Sequence, residues 1–281
     1  MDATDTLTPR DLTADDLPAL MALVREAGWN QTPEDWRGML ARGKGRGLAD
    51  CTDRIIASAL TLPYGATLGW IGMVLVAGEW RKRGCATRLL KDCIAELRGA
   101  GRVAGLDATP AGRPVYEKLG FAGSRGIARW RRPASAPSGG ITPGTRLAGP
   151  GDLDRITALD GACFGAPRPA LIRDLCARAE PIGWVAGEDA FLLHRAGLKA
   201  RQIGPICAPD LATAGQLLDS ALAAFGEALV IDACETRSGF DALLEARGFA
   251  VERRFTRMYL GAPAPTGDPE RLFAIAGPEL G

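Results

Sequence analysis

One segment of the sequence, residues 68–97, constrains the fold more than any other. An apolar run with β-branched residues ends at Val76, a short polar bend follows, and from about Ala86 the apolar side chains recur at helical spacing. The segment therefore predicts a strand, a loop and a helix. In the loop, residues 81–83 are cationic and Gly84 permits close approach of the backbone. Because the first turn of a helix has unpaired N–H groups and a partial positive charge, this arrangement is suited to binding a diphosphate.

Two motifs in a fixed order link the chain to a known family. Residues 81–86 fit the pattern R-x-x-G-x-A, and a later block contains Leu-Asp-Ala-Thr at 106–109 and Tyr-Glu-Lys-Leu-Gly-Phe at 116–121. Together they resemble the pyrophosphate-binding loop and the Y-x-x-L-G-F segment of the GNAT superfamily of N-acyltransferases. The resemblance implies an α/β (α+β) fold with a mixed, mostly antiparallel sheet flanked by helices. It also implies transfer of an acetyl group from acetyl-CoA to a primary amine by direct attack.

The resemblance assigns roles to individual residues. Tyr116 is the expected general acid, which protonates the departing thiolate of the coenzyme. Thr109 stands where relatives often have an asparagine, so it keeps a hydroxyl but lacks the amide. The expected cofactor-binding residues are Val74, Leu75, Val76, Arg81, Lys82, Arg83, Gly84, Cys85, Ala86 and Thr109.

The base that deprotonates the amine is not assigned. Many family members use a carboxylate on the strand before the loop, and residues 68–76 contain none. Glu26, Asp50 and Asp53 are the candidates elsewhere, and a chain of water molecules is the alternative.

Two amphipathic helices are predicted near the N-terminus. Thr13 with Asp16 forms a capping-box pattern before the first, and Thr32 with Asp35 precedes the second. In GNAT proteins the segment between these helices borders the acceptor pocket. The candidate substrate contacts are therefore Trp29, Asn30, Gln31 and Trp36. The alternative is that the tryptophans fill the core and the amides cap the turn.

Other stretches give a coarse secondary structure. Residues 43–50 contain three glycines and two cations, which predicts a turn or a mobile loop. Strands are expected at 54–62, 68–76, 103–108 and 127–132, and a short helix at 114–119.

The second half of the chain resembles the first. It contains Ile-Asp-Ala at 231–233 and Leu-Glu-Ala-Arg-Gly-Phe at 244–249, parallel to residues 106–108 and 116–121. Asp210 stands in a short connection that lacks the cationic loop, and there it would cap the next helix and repel phosphate.

The second half thus lacks the chemistry of the first. Leu244 takes the place of the tyrosine, so one cofactor per chain is expected. This pattern resembles a bacterial subgroup of GNAT proteins with a degenerate C-terminal lobe. A stretch rich in proline, glycine and serine predicts a linker. The predicted domains are a catalytic GNAT domain at 1–134, the linker at 135–145 and a degenerate GNAT-like domain at 146–281.

Charge and composition exclude several classes of partner. A net charge of +1 and three clustered cations without interleaved aromatics argue against nucleic acid, and no apolar run approaches the roughly 20 residues of a membrane span. Seven cysteines without a C-x-x-C pair, together with the single His194, predict no metal site and a reduced, cytoplasmic setting. The expected partner is a small-molecule amine, and the oligomeric state is left open. A non-catalytic acyl-CoA sensor is the alternative function, and the intact Tyr116 argues against it.

Overall fold

A computed structural model describes residues 7–137, 139–236, 238–261 and 267–281 of the chain. The N-terminal residues 1–6 of the predicted catalytic domain and residue 138 of the predicted linker lie outside these ranges. The described strands are β1 Thr8–Leu12, β2 Lys44–Ala49, β3 Ile55–Tyr64, β4 Leu68–Val76, β5 Val103–Ala108, β6 Ala122–Arg132, β7 Arg146–Leu147, β8 Gly183–Ala186, β9 Ala190–Arg195, β10 Arg201–Cys207, β11 Leu229–Cys234, β12 Ala250–Leu260 and β13 Leu272–Ala274. The described α-helices are α1 Leu17–Ala27, α2 Pro33–Arg42, α3 Cys85–Gly99, α4 Arg113–Lys118, α5 Leu153–Phe164, α6 Pro169–Arg178, α7 Leu211–Ala224 and α8 Phe240–Ala246.

The two halves of the chain exchange a strand. The described strands form one mixed, mostly antiparallel sheet in the order β1-β2-β3-β4-β5-β12-β6-β11-β13-β10-β9-β8-β7. Strand β12 of the second half pairs with β5 of the first, and β6 of the first half pairs with β11 of the second. Each half is therefore completed by a strand of the other. The division of the chain into two domains at residues 135–145 stays a prediction, and the two predicted domains share this one sheet.

Two buried ion pairs cross the exchanged strands. Arg257 on β12 donates two hydrogen bonds to Asp107 on β5, at 2.9 and 2.8 Å, and both side chains are fully buried. Arg129 on β6 makes the same bidentate contact with Asp232 on β11, at 2.9 and 2.8 Å. The two aspartates occupy equivalent positions in the repeated sequences at 106–108 and 231–233. Each copy of the repeat therefore supplies the carboxylate of one ion pair.

Strands β4 and β5 diverge and open a cleft. They run parallel and pair only where residues 68–70 lie beside residues 103–105. Farther along β4, the register with β3 shifts near Met73, whose φ is 53°. Ser58 Oγ donates to the Met73 carbonyl at 2.9 Å and so holds this irregularity.

The equivalent space in the second half is filled. Strands β10 and β11 also run parallel and pair over three residues each. Beyond them, β13 lies between the two strands and pairs with both. The chain then crosses to the first half, where Tyr64 Oη donates to the Leu280 carbonyl at 2.7 Å and Trp70 Nε1 donates to the Pro278 carbonyl at 2.9 Å.

The predicted helix starts are confirmed, and one predicted loop is wrong. Capping boxes are present at Thr13 and at Thr32. Residues 43–50, expected as a turn or loop, instead form β2. The reason is steric, because a Cβ at Gly45 would lie 2.8 Å from Leu12 Cβ and one at Gly47 would lie 2.7 Å from Leu12 Cδ2. These glycines let Leu12 of the neighbouring β1 pack directly on the β2 backbone.

Strands β1, β7, β12 and β13 were not predicted, and β6 begins at Ala122, earlier than the expected residue 127. The sequence of β12 contains three arginines, which argue against a central strand when read locally. Arg257 is tolerated there because Asp107, on another part of the chain, neutralises it.

We expect Arg257→Met to lower the free energy of unfolding by about 3–5 kcal/mol, because it leaves the Asp107 carboxylate buried without its counter-charge. Arg254→Met, on the same strand, is the matched control. That side chain is 64% exposed, so the loss should be below about 1 kcal/mol. Urea denaturation followed by circular dichroism measures both, and equal losses would contradict the role given to the buried pair.

Candidate functional site

The divergence of β4 and β5 opens into a cavity of about 770 Å³. Its walls come from both halves of the chain: α1 and the connection to α2, β4, the loop before α3, the start of α4, β6, β12 and the C-terminal segment. The cavity therefore exists only in the complete fold.

Most of the predicted cofactor-binding residues line this cavity. They are Val74, Leu75, Val76, Arg81, Lys82, Gly84, Cys85, Ala86 and Thr109. Arg83 is not among the lining residues, and its guanidinium lies 5.2 Å from the centre of the Trp80 ring. The structure brings the two sequence motifs into one space, and their contact with a coenzyme stays a prediction.

The start of α3 is suited to an anion. Gly84 precedes the helix with a φ of 87°, a conformation that favours glycine, and it offers no side chain to cap the helix. In the second half, Asp210 Oδ1 accepts a hydrogen bond from Thr213 N at 2.7 Å at the start of α7. The predicted cap is thus confirmed. It places a carboxylate where the first half has Gly84, which carries no side chain, and the cations of residues 81–83.

Glu26 holds the loop before α3. Its Oε1 accepts from Gly78 N at 2.6 Å and lies 3.5 Å from Arg81 Nη2, while Arg81 Nε donates to the Val76 carbonyl at 3.0 Å. Among the candidate bases, Glu26 lines the cavity. Asp50 and Asp53 lie outside it, where Asp50 binds Thr52 and Arg54, and Asp53 binds Arg10. We therefore remove these two from the candidates.

Tyr116 lines the cavity from α4. Its ring packs edge-on against Phe121, with the ring centres 6.0 Å apart. Loss of hydration in this partly enclosed position raises the pKa of Tyr116 to about 12. Thr109 supports the same element, because its Oγ1 accepts from Gly112 N at 3.1 Å, at the turn that leads into α4.

The four predicted substrate contacts divide into two pairs. Trp29 and Gln31 line the cavity. Asn30 and Trp36 do not: Asn30 Nδ2 donates to the Ala200 carbonyl at 2.9 Å, and Trp36 is fully buried in the core. Trp36 therefore fills the core, as the alternative had it, whereas Asn30 does not cap its own turn but bonds the backbone of residues 199–200 in the second half. We remove both from the substrate contacts.

The sequence motifs missed the cavity residues contributed by β6, β12 and the C-terminal segment. Arg129, Arg253, Phe255, Pro278 and Glu279 all line it. None of them belongs to the motifs at 81–86 and 116–121. The hint in the sequence is the run of charges in β12, which is unusual for a central strand.

Glu279 is the buried carboxylate of this set. Its Oε1 accepts a hydrogen bond from Arg195, while its Oε2 is buried and has no hydrogen-bond partner among the described residues. Burial raises the pKa of Glu279. Its backbone packs on β4, where a Cβ at Gly72 would lie 2.7 Å from the Glu279 carbonyl oxygen.

The described residues contain neither a metal-binding cluster nor a membrane-spanning helix. They contain no group of three or more histidine, cysteine, aspartate or glutamate side chains arranged to hold a metal ion. In the same part of the chain, no helix has both the length and the apolar character that crossing a bilayer requires.

Comparison with known proteins gives the same family for both halves. Sequence models described as acetyltransferase (GNAT) domains match residues 23–127 and 156–274. Over 289 aligned positions the chain is 27% identical to the uncharacterized N-acetyltransferase YitH of Bacillus subtilis, with both sequences covered completely.

Solved structures share the fold. A putative acetyltransferase from Pyrococcus horikoshii aligns with a TM-score of 0.82 at 18% identity, covering 99% of this chain and 96% of that one. A tandem GNAT protein from the clavulanic acid biosynthesis pathway aligns with a TM-score of 0.62 at 15% identity, covering 92% of this chain and 100% of that one.

We expect Tyr116 to remain protonated up to roughly pH 11, because a group whose pKa is about 12 is only about 10% ionised one unit lower. The measurement is ultraviolet absorption of tyrosinate during a pH titration, with the curve of Tyr116→Phe subtracted from that of the wild type. A difference curve with its midpoint near 10 would show a hydrated phenol and contradict the enclosed position.

Proposed function

Because the chain belongs to the GNAT acetyltransferase family in both of its halves, we propose that it is an acetyl-CoA-dependent N-acetyltransferase with one active site, in the first half. The acceptor in this proposal is the primary amine of a small molecule. One observation carries the proposal: the cavity between β4 and β5 brings together Tyr116 and the anion-binding start of α3.

The coenzyme's pyrophosphate is proposed to bind at the start of α3. There the backbone N–H groups of the first turn follow Gly84, and Arg81 and Lys82 line the same part of the cavity. The helix dipole, the absence of a side-chain cap at Gly84 and two cations all favour a doubly charged anion.

The acyl group would then lie in the gap between β4 and β5. In this proposal, a backbone N–H near Leu75 or Val76 donates to the thioester carbonyl, and the neutral amine attacks the carbonyl carbon. The negative charge that develops on the oxygen is stabilised by that donor, which contributes a few kcal/mol in a preorganised site. The C–S bond of the tetrahedral intermediate then breaks, and the thiolate leaves.

Tyr116 is proposed to donate the proton that the thiolate needs. Because burial raises the pKa of Tyr116 to about 12, the phenol is fully protonated at neutral pH. Against an ordinary thiol pKa of about 8.5, the transfer is uphill by roughly 5 kcal/mol. The thiolate forms in the same poorly hydrated cavity, which raises its pKa as well and narrows this gap.

The cavity walls support a small acceptor. Trp29 and Gln31 close one side, and Phe255 with the C-terminal segment closes another. The second half therefore acts, in this proposal, as a wall of the acceptor pocket. No base is assigned: Glu26 is engaged with the loop, and Glu279 with Arg195.

We expect Tyr116→Phe to lower kcat by about 10²–10⁴, the usual cost of removing a general acid, with unchanged affinity for acetyl-CoA. Release of coenzyme A thiol with a panel of primary amines measures kcat, and calorimetry measures the affinity. Tyr259→Phe is the matched control, since Tyr259 is buried on β12 and does not line the cavity. Unchanged turnover in Tyr116→Phe would remove the tyrosine from the mechanism. Tight binding of acetyl-CoA without thiol release by the wild type would favour the acyl-CoA sensor instead.

We expect Ala86→Asp to weaken coenzyme A binding roughly 10- to 100-fold, because it places a carboxylate beside the proposed pyrophosphate site. Acetylpantetheine, which has no pyrophosphate, is the control ligand and should bind the variant and the wild type equally. Equal weakening of both ligands would place the pyrophosphate elsewhere.

A further inference from the structure

We propose that the acceptor carries an anionic group, a carboxylate or a phosphate, in addition to its amine, and that Arg253 and Arg129 bind this group. The proposal rests on the acetyl transfer proposed above and specifies the class of acceptor.

The two arginines are direct neighbours across the exchanged strands. Arg253 on β12 is the register partner of Arg129 on β6 in an antiparallel pair, so both side chains lie on one face of the sheet. Both line the cavity. Two like charges at directly opposed positions destabilise a sheet unless counter-charges are present.

Only one of the two has a counter-charge within the described residues. Arg129 is 8% exposed and donates Nε and Nη2 to Asp232, which also accepts from Gln202 Nε2 at 3.0 Å. Its Nη1 makes no contact with the Asp232 carboxylate. Arg253 is half-buried, and although its backbone pairs with β6, its guanidinium makes no hydrogen bond or ion pair with any described residue.

The neighbours on the same strand show that this is unusual. Arg254 pairs with Glu235, and Arg257 pairs with Asp107. Of the three arginines on β12, Arg253 lines the cavity, and it is the one whose guanidinium has no carboxylate partner in the part of the chain that the structure describes.

The surroundings are suited to an organic anion. The Phe255 ring, two residues along β12, lies 5.5 Å from the Arg129 guanidinium carbon and gives the site an apolar floor. The cations proposed to hold the pyrophosphate, Arg81 and Lys82, follow β4, whereas β12 and β6 lie beyond β5 in the sheet. The second pair of cations is therefore separate from the first.

The test compares amines that differ in one anionic group. The carboxylate arm uses β-alanine with β-alaninamide and L-phenylalanine with its amide. The phosphate arm uses O-phosphoethanolamine with ethanolamine and glucosamine 6-phosphate with glucosamine. For each compound, thiol release gives kcat/KM with acetyl-CoA, and calorimetry gives binding to protein saturated with coenzyme A. Taking the ratio of variant to wild type cancels differences in amine basicity within a pair.

We expect Arg253→Gln to weaken binding and kcat/KM for the charged members of one arm roughly 10- to 100-fold, the usual worth of a charge-assisted hydrogen bond, and to leave the neutral members unchanged. The arm affected identifies the anion. Arg254→Gln makes the same charge change on the opposite face of β12. It should leave binding and kcat/KM unchanged for the charged and the neutral amines alike.

Each other outcome is decisive. If the amines are acetylated but Arg253→Gln affects charged and neutral members equally, this proposal is overturned and the proposed acetyltransferase activity stands. Selective, Arg253-dependent binding of charged amines without thiol release would uphold the anion site and overturn the proposed function. If the protein shows neither a preference for charged amines nor turnover of any amine, both proposals are overturned. A rise in the KM for acetyl-CoA with every amine would assign Arg253 to the coenzyme and overturn the acceptor site.

Discussion

The exchange of β6 and β12 is the constraint on which the rest of the structure depends. It places the Asp107 carboxylate against Arg257 and the Asp232 carboxylate against Arg129, each in the interior of the sheet. A buried ion pair adds little net stability over an apolar pair, but an unpaired charge at either position is costly. We infer that these pairs select the exchanged arrangement, because each aspartate reaches its guanidinium only when the other half supplies the strand.

The position of β13 explains why the open cleft is found in the first half. Both halves contain a parallel pair of strands that separates after three residues. In the second half, β13 pairs with both separating strands and fills the gap. In the first half the gap remains open, and the segment after β13 arrives only at its edge, against Gly72. The two halves thus differ because β13 hydrogen-bonds to the separating strands of the second half only. The gap of the second half is filled, and that of the first remains a cavity.

The chemistry of the cavity is divided between the halves. The first half contributes the uncapped start of α3 and Tyr116, which its motifs place near each other. The second half contributes the polar wall of Arg253 and Glu279. The second half lacks the tyrosine and the cationic loop of the first. In the proposed function, its role is to shape and charge the pocket of the other half.

The sequence by itself determined the features that depend on neighbours in the chain. The strand, cationic loop and helix of residues 68–97, the two capping boxes and the cap at Asp210 all follow from helical periodicity and from hydrogen bonds spanning two or three residues. The absence of the tyrosine and the cations from the second half could also be recognised in the sequence, because both belong to local motifs. Residues 43–50 were misread because their glycines serve Leu12 on another strand, a contact that no local pattern contains.

Only the tertiary structure decided the strand exchange, the filling of the second gap by β13 and the cavity wall formed by β6, β12 and the C-terminal segment. Asp107 and Arg257 are separated by 150 positions, and Arg129 and Asp232 by 103. Arginine in a strand is unfavourable when judged by its neighbours in sequence, and it becomes acceptable when a carboxylate from a distant segment meets it. Such long-range compensation leaves no periodicity in the chain, and for that reason it became visible only in the folded protein.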